Sequence, residues 1–351
     1  MNTKSYLLVV LLACIATIGV NAQGVKIYKN RGSMQTINYN MLDSIVAYEK
    51  AETEATGSGN TPKQYFSDSE LLLNDTGSIY HLSLKPEQLA DNIILVGDIG
   101  RVPLVAENFE SIDCDIQHRE FHSITGYYKG KRVTVISSGI GCDNMDIVVN
   151  ELDALANIDF NTRTVKPKFR QLNLIRIGTC GGLQLNTPTG TFVASVKGIG
   201  FEGLLNFYAG RDSVCDLEME AAFTKHMQWP SNLCDPYVVN ADTSLVDKIA
   251  GTDMVRGITI SCGGFFGPQG RELRIPLAYP KQNEMVENFS YKGLQITNFE
   301  MENSAMVGLA RLLGHRAMTC CLVIANRRTL NAVTDYEAYM RNLIKEVLER
   351  L

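Results

Sequence analysis

Short apolar runs alternate with stretches of helical periodicity over most of the chain. The apolar runs are partly β-branched, which is typical of strands buried on both faces of a sheet. We predict such strands at residues 92–96, 132–137, 172–177, 191–196 and 318–324. Helices are predicted at residues 145–155, 216–227 and 300–313. The chain ends in an amphipathic helix, one face of which carries Tyr336, Met340, Leu343, Val347 and Leu351.

Alternating strands and helices predict an α/β fold of three layers, with a central sheet flanked by helices. The chain has 351 residues, 45% of them hydrophobic, which is enough for one full globular core with a small appendage. Its formal net charge of −5 provides no global positive field. We therefore expect no nucleic-acid partner, and any anion site must be local.

Three short segments precede the α/β body, which we place at residues 76–351. Residues 1–22 combine an early lysine, an apolar stretch and a small-residue cleavage site, which predicts a signal peptide and an exported, periplasmic protein. The apolar stretch is too short for a stable membrane span. A lipoprotein signal ending at Cys14 is less favoured, because the chain stays apolar after it. Residues 23–50 predict a small β-hairpin module, and residues 51–75 a flexible polar linker.

The cysteines give no sign of a metal site or of a disulfide framework. Nine are present, and one of them, Cys14, lies inside the predicted signal peptide. The chain has no CxxC motif, so we predict no structural zinc and no other metal. Export permits disulfides, and Cys215 with Cys234 is the one pair that we single out.

Two clusters of glycine and arginine lie at the carboxyl ends of predicted strands, where α/β sheets place their ligands. Gly97 and Arg101 follow the first strand, although a tight turn with a surface arginine would look the same. Arg176 lies inside an apolar strand, just before a glycine-rich turn that contains Thr179. A buried arginine needs either a bound anion or a core carboxylate. We favour the anion because the glycine-rich turn adds backbone donors.

Two further segments carry groups suited to a polar ligand. Phe265 provides a flat aromatic face, Gln269 a donor and an acceptor, and Arg271 a planar donor fork, a set that fits a ring with carbonyl and N–H groups. An ordinary Pro/Gly loop is the alternative. Glu300 and Glu302 flank a methionine at a predicted helix start. They either complement the helix dipole or accept hydrogen bonds from sugar hydroxyls.

Seven motifs stand in an order and at spacings that resemble the uridine phosphorylase branch of the nucleoside phosphorylase family. They are GDIGR, HREF, SSGIG, RIGTCGG, FFGPQGR, FEMEN and VIANR, between residues 97 and 327. The resemblance runs from about His81 to Leu351 and leaves out the hairpin and the linker. It implies the nucleoside phosphorylase-type fold, with a mixed central sheet, and a pentosyltransferase that converts uridine and phosphate to uracil and ribose 1-phosphate. It implies no cofactor, since inorganic phosphate is a co-substrate.

The resemblance also implies roles for particular residues. Phosphate would be held by Gly97, Arg101, Arg176 and Thr179, together with Arg119 of a neighbouring subunit. Ribose would be held by Glu300, Met301 and Glu302, together with His81 of that neighbour. The base would be held by Phe265, Gln269, Arg271, Ile324 and Arg327. Of these, Arg176, Arg271, Gln269 and Glu302 would act on the reacting groups. Since two residues act across an interface, we expect a dimer or a higher assembly such as a hexamer.

The chain departs from the family pattern in four places. Cys180 stands where relatives often carry threonine or serine, a change that we expect to be tolerated. Residues 157–170 form an insertion that we expect to be a surface loop, with a lid as the less favoured alternative. Arg328 doubles the usual single arginine at Arg327. Asn144 stands where relatives that bind a monovalent cation carry serine, so we predict no metal there.

Three other functions compete with this interpretation. A purine nucleoside phosphorylase of the same fold would use an aspartate to protonate the leaving base, and residues 324–327 contain none. A nucleosidase, which uses water, would not need Arg101, Arg119 and Arg176 together. A non-catalytic nucleoside-binding protein is expected to lack these arginines, and they are present.

Overall fold

The computed structural model describes the backbone of residues 24–28 and 34–38 and the whole of residues 65–351. The chain divides into two units, Met1–Thr61 and Pro62–Leu351. In the first unit, β1 (Gly24–Tyr28) pairs antiparallel with β2 (Met34–Asn38). The predicted signal peptide and the linker up to residue 64 lie outside the described residues.

A mixed sheet forms the centre of the second unit. Its strands are β3 (Asn92–Val96), β4 (Ser111–His118), β5 (Phe121–Tyr128), β6 (Lys131–Ser137), β9 (Asn173–Gly182), β10 (Phe192–Gly200), β11 (Tyr237–Asn240), β12 (Met254–Ser261), β13 (Ser290–Tyr291), β14 (Leu294–Glu300), β15 (Arg316–Asn326) and β16 (Asn331–Ala332). The order across the sheet is β13-β14-β12-β10-β15-β9-β3-β6-β5-β4, with β11 beside β10 and β16 beside β15. Each of the five predicted buried strands is present. The core strands β3, β6, β9 and β15 run parallel, whereas β10 is antiparallel to β15.

Part of this sheet closes on itself. The end of β14 also pairs with the end of β9, Asn298 with Gly182 and Phe299 with Gly181. The strands β9, β15, β10, β12 and β14 therefore form a ring. Gly182 is also required by the segment that follows β9, because a Cβ there would lie 2.5 Å from the Thr187 carbonyl oxygen. The ring brings the carboxyl ends of β9 and β14 together.

Helices cover both faces of the sheet. They are α1 (Arg101–Ala106), α2 (Cys142–Asn157), α3 (Leu217–His226), α4 (Thr243–Ile249), α5 (Gln282–Asn288), α6 (Asn303–Leu312) and α7 (Glu337–Arg350). One buried cluster packs α2 and α6 against the sheet, and a second packs α1, α4 and α7 against it. The predicted three layers are confirmed. None of the helices in the described part of the chain is long and apolar enough to cross a membrane.

One predicted helix begins too early. The sequence prediction started it at Glu300, but this residue ends β14, and α6 begins at Asn303. The two carboxylates resembled a helix N-terminus because acidic residues are favoured there. The pairing of β14 with β12 and β9 keeps Glu300 extended instead.

The insertion at residues 157–170 is more ordered than the surface loop that we predicted. It contains a two-stranded hairpin, β7 (Ile158–Asp159) with β8 (Thr164–Val165). Arg163 at its turn donates to the carbonyl oxygens of Phe66, Ser67 and Leu71. Leu71 is buried in the core, so residues 65–71, which we assigned to the linker, pack on the body.

Candidate active site

The carboxyl ends of several strands open into one cavity of about 1140 Å³. Most of the predicted site residues line it, although they come from five separate segments of the chain. They are Gly97, Arg101, Arg176, Thr179, Phe265, Gln269, Arg271, Glu300, Met301, Glu302, Ile324 and Arg327. Within the described residues, only Arg119 and His81 of the predicted set lie outside its wall.

Arg176 is the buried centre of this cavity. Its Nη2 donates to Glu302, and its Nη1 lies 3.3 Å from Glu300 Oε2 and 3.8 Å from Cys321 Sγ. Burial opposes the charge of the guanidinium, but Glu302 and Glu300 outweigh it and raise the pKa of Arg176. The core carboxylates that we considered as the alternative to an anion are thus present. Because Arg176 also lines the cavity, an anion can compete with them for it.

Glycine at position 178 makes room for this arginine. A Cβ at Gly178 would lie 2.2 Å from Arg176 Nη1 and 2.8 Å from its guanidinium carbon. The guanidinium therefore lies against the backbone of its own strand. We predicted a glycine-rich turn after Arg176, and this is wrong: residues 178–182 continue strand β9 and pair with β15, so their backbone belongs to the sheet. The glycine at position 178 is needed instead for the packing of the guanidinium on this strand.

Glu300 and Glu302 have different surroundings. Glu300 Oε1 accepts from Ser261 Oγ at 2.5 Å, and its Oε2 accepts from the N–H groups of Glu302 and Asn303 at 2.9 Å each. Burial raises the pKa of Glu300 to about 7, against the opposing charge of Arg176. Glu302 accepts from the Gly141 N–H at 2.7 Å. Glu300 thus caps the start of α6, while Glu302 bridges Arg176 and the Gly141 turn.

Arg101 is a buried cation without a carboxylate partner in the described part of the chain. It begins α1, is 6% exposed, and places Nη1 3.4 Å from the Ile177 carbonyl oxygen. Burial lowers the pKa of this guanidinium. An uncompensated buried charge is costly, so a ligand anion would stabilise Arg101. Gly97 lies near the other buried arginine: a Cβ at Gly97 would lie 3.9 Å from Arg176 Nη2.

Gln269 and two arginines form the other end of the cavity. The amide oxygen of Gln269 accepts from Arg271 Nη1 at 2.6 Å and faces Arg327 Nη2 at 3.5 Å. An arginine only donates, so this end of the amide must be the oxygen. The Nε2 group has no partner among the described residues, which leaves it free to donate into the cavity. Arg271 also lies over Phe265, 3.6 Å from its ring centroid.

Arg271 and Arg327 keep their charge although no carboxylate pairs with them within residues 65–351. Burial, and then the charge of Arg327, lower the pKa of Arg271 to about 10. Burial also lowers the pKa of Arg327. Both guanidinium groups remain protonated near neutral pH. This end of the cavity therefore presents hydrogen-bond donors and positive charge to a ligand.

The structure separates the roles of three successive residues. Asn326 donates to the carbonyl oxygens of Gln184 and Thr187 and accepts from two backbone N–H groups. Its side chain is thereby fully occupied with backbone contacts. Arg327 lines the cavity, whereas Arg328 is half-exposed and lies 3.7 Å from Glu287. Arg327 is therefore the arginine of the pair that faces the site.

Arg119 and His81 lie together at a separate place. Arg119 is exposed, and its Nη2 donates to the Tyr80 hydroxyl at 3.1 Å. The rings of Tyr80 and His81 meet edge to face, with centroids 4.8 Å apart. Glu120, next to Arg119, lines the cavity of its own chain. The pair therefore lies near the rim, outside the wall.

Sequence reasoning missed two contacts and a second cavity. Ser261 and the N–H of Gly141 hold the two carboxylates; Gly141 was part of a recognised motif, but Ser261 carried no signal. A second, largely apolar cavity of about 690 Å³ lies on the other side of residues 265–271. Phe201, Trp229 and Tyr279 line it, and Arg271 borders both cavities.

No cysteine pair or metal cluster accompanies the site in the part of the chain that the structure describes. Cys215 and Cys234, the pair singled out above, are both free thiols. Residues 65–351 contain no group of three or more His, Cys, Asp or Glu side chains arranged to hold a metal ion.

Known proteins share both the sequence pattern and the fold. Residues 91–350 match the phosphorylase superfamily. A uridine phosphorylase of Thermococcus kodakarensis is 29% identical over 272 residues, which cover 75% of this chain and 83% of that protein. A DeoD-type purine nucleoside phosphorylase of Thermoanaerobacter sp. is 43% identical over 105 residues, or 30% of this chain and 40% of that protein. The crystal structure of a Trypanosoma brucei nucleoside phosphorylase that shows uridine phosphorylase activity superposes with a TM-score of 0.70 at 28% identity, covering 80% of this chain and 99% of that one.

An α/β fold with a mixed central sheet, and with this cavity at the carboxyl ends of its strands, is a nucleoside phosphorylase-type fold. The chain belongs to the phosphorylase superfamily and, with the nucleoside phosphorylases in it, is a pentosyltransferase.

Proposed function

We propose that the protein cleaves uridine with inorganic phosphate to give uracil and ribose 1-phosphate. The observation that carries this proposal is the donor set of Gln269, Arg271 and Arg327, which faces the cavity with the free amide Nε2 and two uncompensated charges. Uracil offers two carbonyl oxygens to such donors. It also gains negative charge as the ribosyl–base bond breaks, and fixed donors stabilise that charge.

The phosphate would lie between Arg101 and Arg176. Both guanidinium groups are buried in one cavity, and Gly97 and Thr179 line the same region. Arginines suit this role because they stay charged and bind phosphate in a bidentate manner. Phosphate replaces Glu302 as the partner of one Arg176 nitrogen. Glu302 then accepts hydrogen bonds from the ribose hydroxyls, with Met301 packed beside the sugar.

The reaction would need no nucleophilic side chain. A phosphate oxygen forms the new bond to the anomeric carbon, and the bond from that carbon to the base nitrogen breaks through an oxocarbenium-like state. The electron pair of the broken bond passes to the base, where Gln269 and Arg271 stabilise it. Uracil takes up its proton from solvent. Holding phosphate and nucleoside in line supplies the proximity contribution to the rate.

A second subunit would complete the site. Arg119 and His81 lie outside the cavity wall of their own chain and carry no role there in the described part of the molecule. We propose that Arg119 reaches the phosphate, and His81 the ribose, of a neighbouring subunit in a dimer or a larger assembly. In an isologous dimer such an exchange is reciprocal, so each subunit would supply both residues to the other's site.

Purine nucleosides are the second candidate substrate. A relative named as a purine nucleoside phosphorylase is 43% identical over 105 residues, which favours this alternative. Against it, protonation of a leaving purine needs an acid, and the chain has Asn326 at that place, with its side chain bound to backbone groups. We therefore favour a pyrimidine base.

A panel of nucleosides tests the proposal. The purified protein is mixed with phosphate and, in turn, with uridine, deoxyuridine, thymidine and inosine, and the released base is measured. We expect uridine or a related pyrimidine nucleoside to give the highest kcat/KM. Inosine as the best substrate would establish the purine alternative, and binding of uridine without turnover would identify a non-catalytic nucleoside-binding protein.

We also propose that the mature protein begins at Gln23 and acts in the periplasm. The support is the predicted signal peptide at residues 1–22. N-terminal sequencing of the protein from a periplasmic extract tests this. A chain that retains residues 1–22 in the cytoplasm would contradict it, and a lipid on Cys14 would indicate the lipoprotein alternative.

A further inference from the structure

Tyr80 touches both residues that we assign to a neighbouring subunit's site. Its hydroxyl accepts from Arg119 Nη2, and its ring packs edge to face on His81. We propose that Tyr80 is a positioning residue: it holds the side chains of Arg119 and His81 in the orientation in which they enter the neighbouring subunit's cavity. This inference rests on the proposed function, because it assumes that the two residues contact phosphate and ribose there.

His81 is anchored by Glu151. Its carboxylate accepts from the backbone N–H groups of His81, at 3.0 and 3.1 Å, and of Leu82, at 2.9 Å. The same carboxylate lies 2.6 Å from His81 Nδ1. The Nδ1 edge of the imidazole is therefore turned inward onto α2, and the Nε2 edge is the one that remains for a ligand. Tyr80 therefore packs against a histidine whose orientation is fixed by Glu151.

The side chain of Arg119 depends on Tyr80 for its direction. Arg119 lies at the turn between β4 and β5 with a φ of +55°, a conformation that non-glycine residues rarely adopt. Glu120, the next residue in this turn, lines the cavity of its own chain, whereas Arg119 does not. The guanidinium carbon lies 5.2 Å from the Tyr80 ring centroid, and Arg119 has no ion pair among the described residues. Tyr80 thus orients the side chain and leaves its charge available to an anion.

Orientation by a neutral hydroxyl has a specific consequence for binding. A free arginine loses rotamer entropy when it binds a ligand, and an oriented one loses less. The hydroxyl of Tyr80 affects Arg119, whereas its ring affects both Arg119 and His81. The two parts of one side chain should therefore have separable effects on phosphate and on nucleoside binding.

The substitution Tyr80→Phe removes the hydroxyl alone. We expect KM for phosphate to rise about three- to tenfold, the effect of losing one hydrogen bond, while KM for uridine and kcat change less than about twofold. Tyr80→Leu removes the ring as well, so both KM values should rise. Tyr65→Phe, at an exposed tyrosine, is the matched control and should leave both KM values unchanged.

Dimers that contain two different variant chains show whether Tyr80 affects phosphate binding in the neighbouring subunit's cavity. Co-expression of Arg119→Ala chains with Arg176→Ala chains gives pairs in which one cavity keeps its own Arg176 and receives Arg119 from the other chain. A random mixture should regain about a quarter of the wild-type activity, since half the pairs are mixed and one cavity in each is complete. Tyr80→Phe is then placed on one chain type only.

The position of that change decides the outcome. On the Arg176→Ala chain, which donates Arg119, it should raise KM for phosphate as in the uniform variant. On the Arg119→Ala chain it should have no effect on that KM. Equal effects from both chains, or a rise in KM for uridine alone, would overturn the role of Tyr80. Failure of the wild type to cleave uridine with phosphate would instead overturn the proposed function itself.

Discussion

Arg271 donates to the amide oxygen of Gln269 at 2.6 Å, and this contact fixes which end of the amide faces the cavity. Replacing Gln269 with Glu would keep the shape but place a carboxylate between Arg271 and Arg327. The added negative charge would lie next to the leaving base, which itself becomes negatively charged as the ribosyl–base bond breaks. We expect kcat/KM for uridine to fall by about 10²–10³, the usual effect of losing a fixed donor at a developing anion. Steady-state kinetics measures this, and a fall below tenfold would contradict the donor role.

The adjacent arginines provide a matched pair of variants. Arg327 lines the cavity, while Arg328 is half-exposed near Glu287. We expect Arg327→Ala to lower kcat/KM for uridine by about tenfold or more, because a half-buried charged donor is lost. Arg328→Ala should change it less than twofold. The reverse order of effects would show that Arg328 is the residue that reaches the base.

Gly178 is predicted to control phosphate binding through Arg176. The Cβ of Gly178→Ala would lie 2.2 Å from Arg176 Nη1, so the guanidinium must move. The ion pairs of Arg176 with Glu300 and Glu302 would be disturbed, and the guanidinium would point in a different direction within the cavity. We expect KM for phosphate to rise at least about tenfold, as a displacement near 1 Å can cost more than that. An unchanged KM would mean that Arg176 does not hold the phosphate.

Glu300 should make the stability of the fold depend on pH. Burial raises its pKa to about 7 from an ordinary value of 4.5. The folded state therefore binds this proton more tightly than the unfolded chain does. The resulting stabilisation is fully present below pH 4.5 and is lost as the pH rises through about 7. We expect the free energy of unfolding of the wild type, relative to Glu300→Gln, to fall over this range. A difference that stays constant or increases with pH would contradict the raised pKa.

The hairpin at residues 157–170 should stabilise the body without taking part in catalysis. Arg163→Ala removes donors to the carbonyl oxygens of Phe66, Ser67 and Leu71. We expect a loss of about 1–3 kcal/mol in the free energy of unfolding and faster proteolysis near residue 66. The kcat and KM for uridine should be those of the wild type at a temperature where both proteins are folded. A large change in kcat would indicate a lid function instead.

Much of the site was predictable because its residues break the local pattern. Arg176 stands out as a charge within an apolar strand, and Gln269 and Arg271 stand out in a glycine-rich segment. Such departures from a buried pattern are expected at functional positions. Apolar runs also predicted the strands β3, β6, β9, β10 and β15. A strand that is buried on both faces is a continuous apolar run, which can be read from the local sequence alone.

The remaining features depend on contacts between distant parts of the chain. The ring requires Asn298 to pair with Gly182, more than one hundred residues away, and no local periodicity encodes that. Glu300 resembled a helix start, but its carboxylate caps α6 from the end of a strand. Tyr80 carried no signal, because its role depends on Arg119, which lies at a turn between two other strands.

The dependence of base release on phosphate tests the proposed reaction most directly. The purified protein is incubated with uridine in phosphate-free buffer and in the same buffer with inorganic phosphate, and uracil, ribose 1-phosphate and ribose are measured. We predict uracil release only with phosphate, and one ribose 1-phosphate for each uracil. Equal uracil release without phosphate, with free ribose as the second product, would contradict phosphorolysis and identify a nucleosidase.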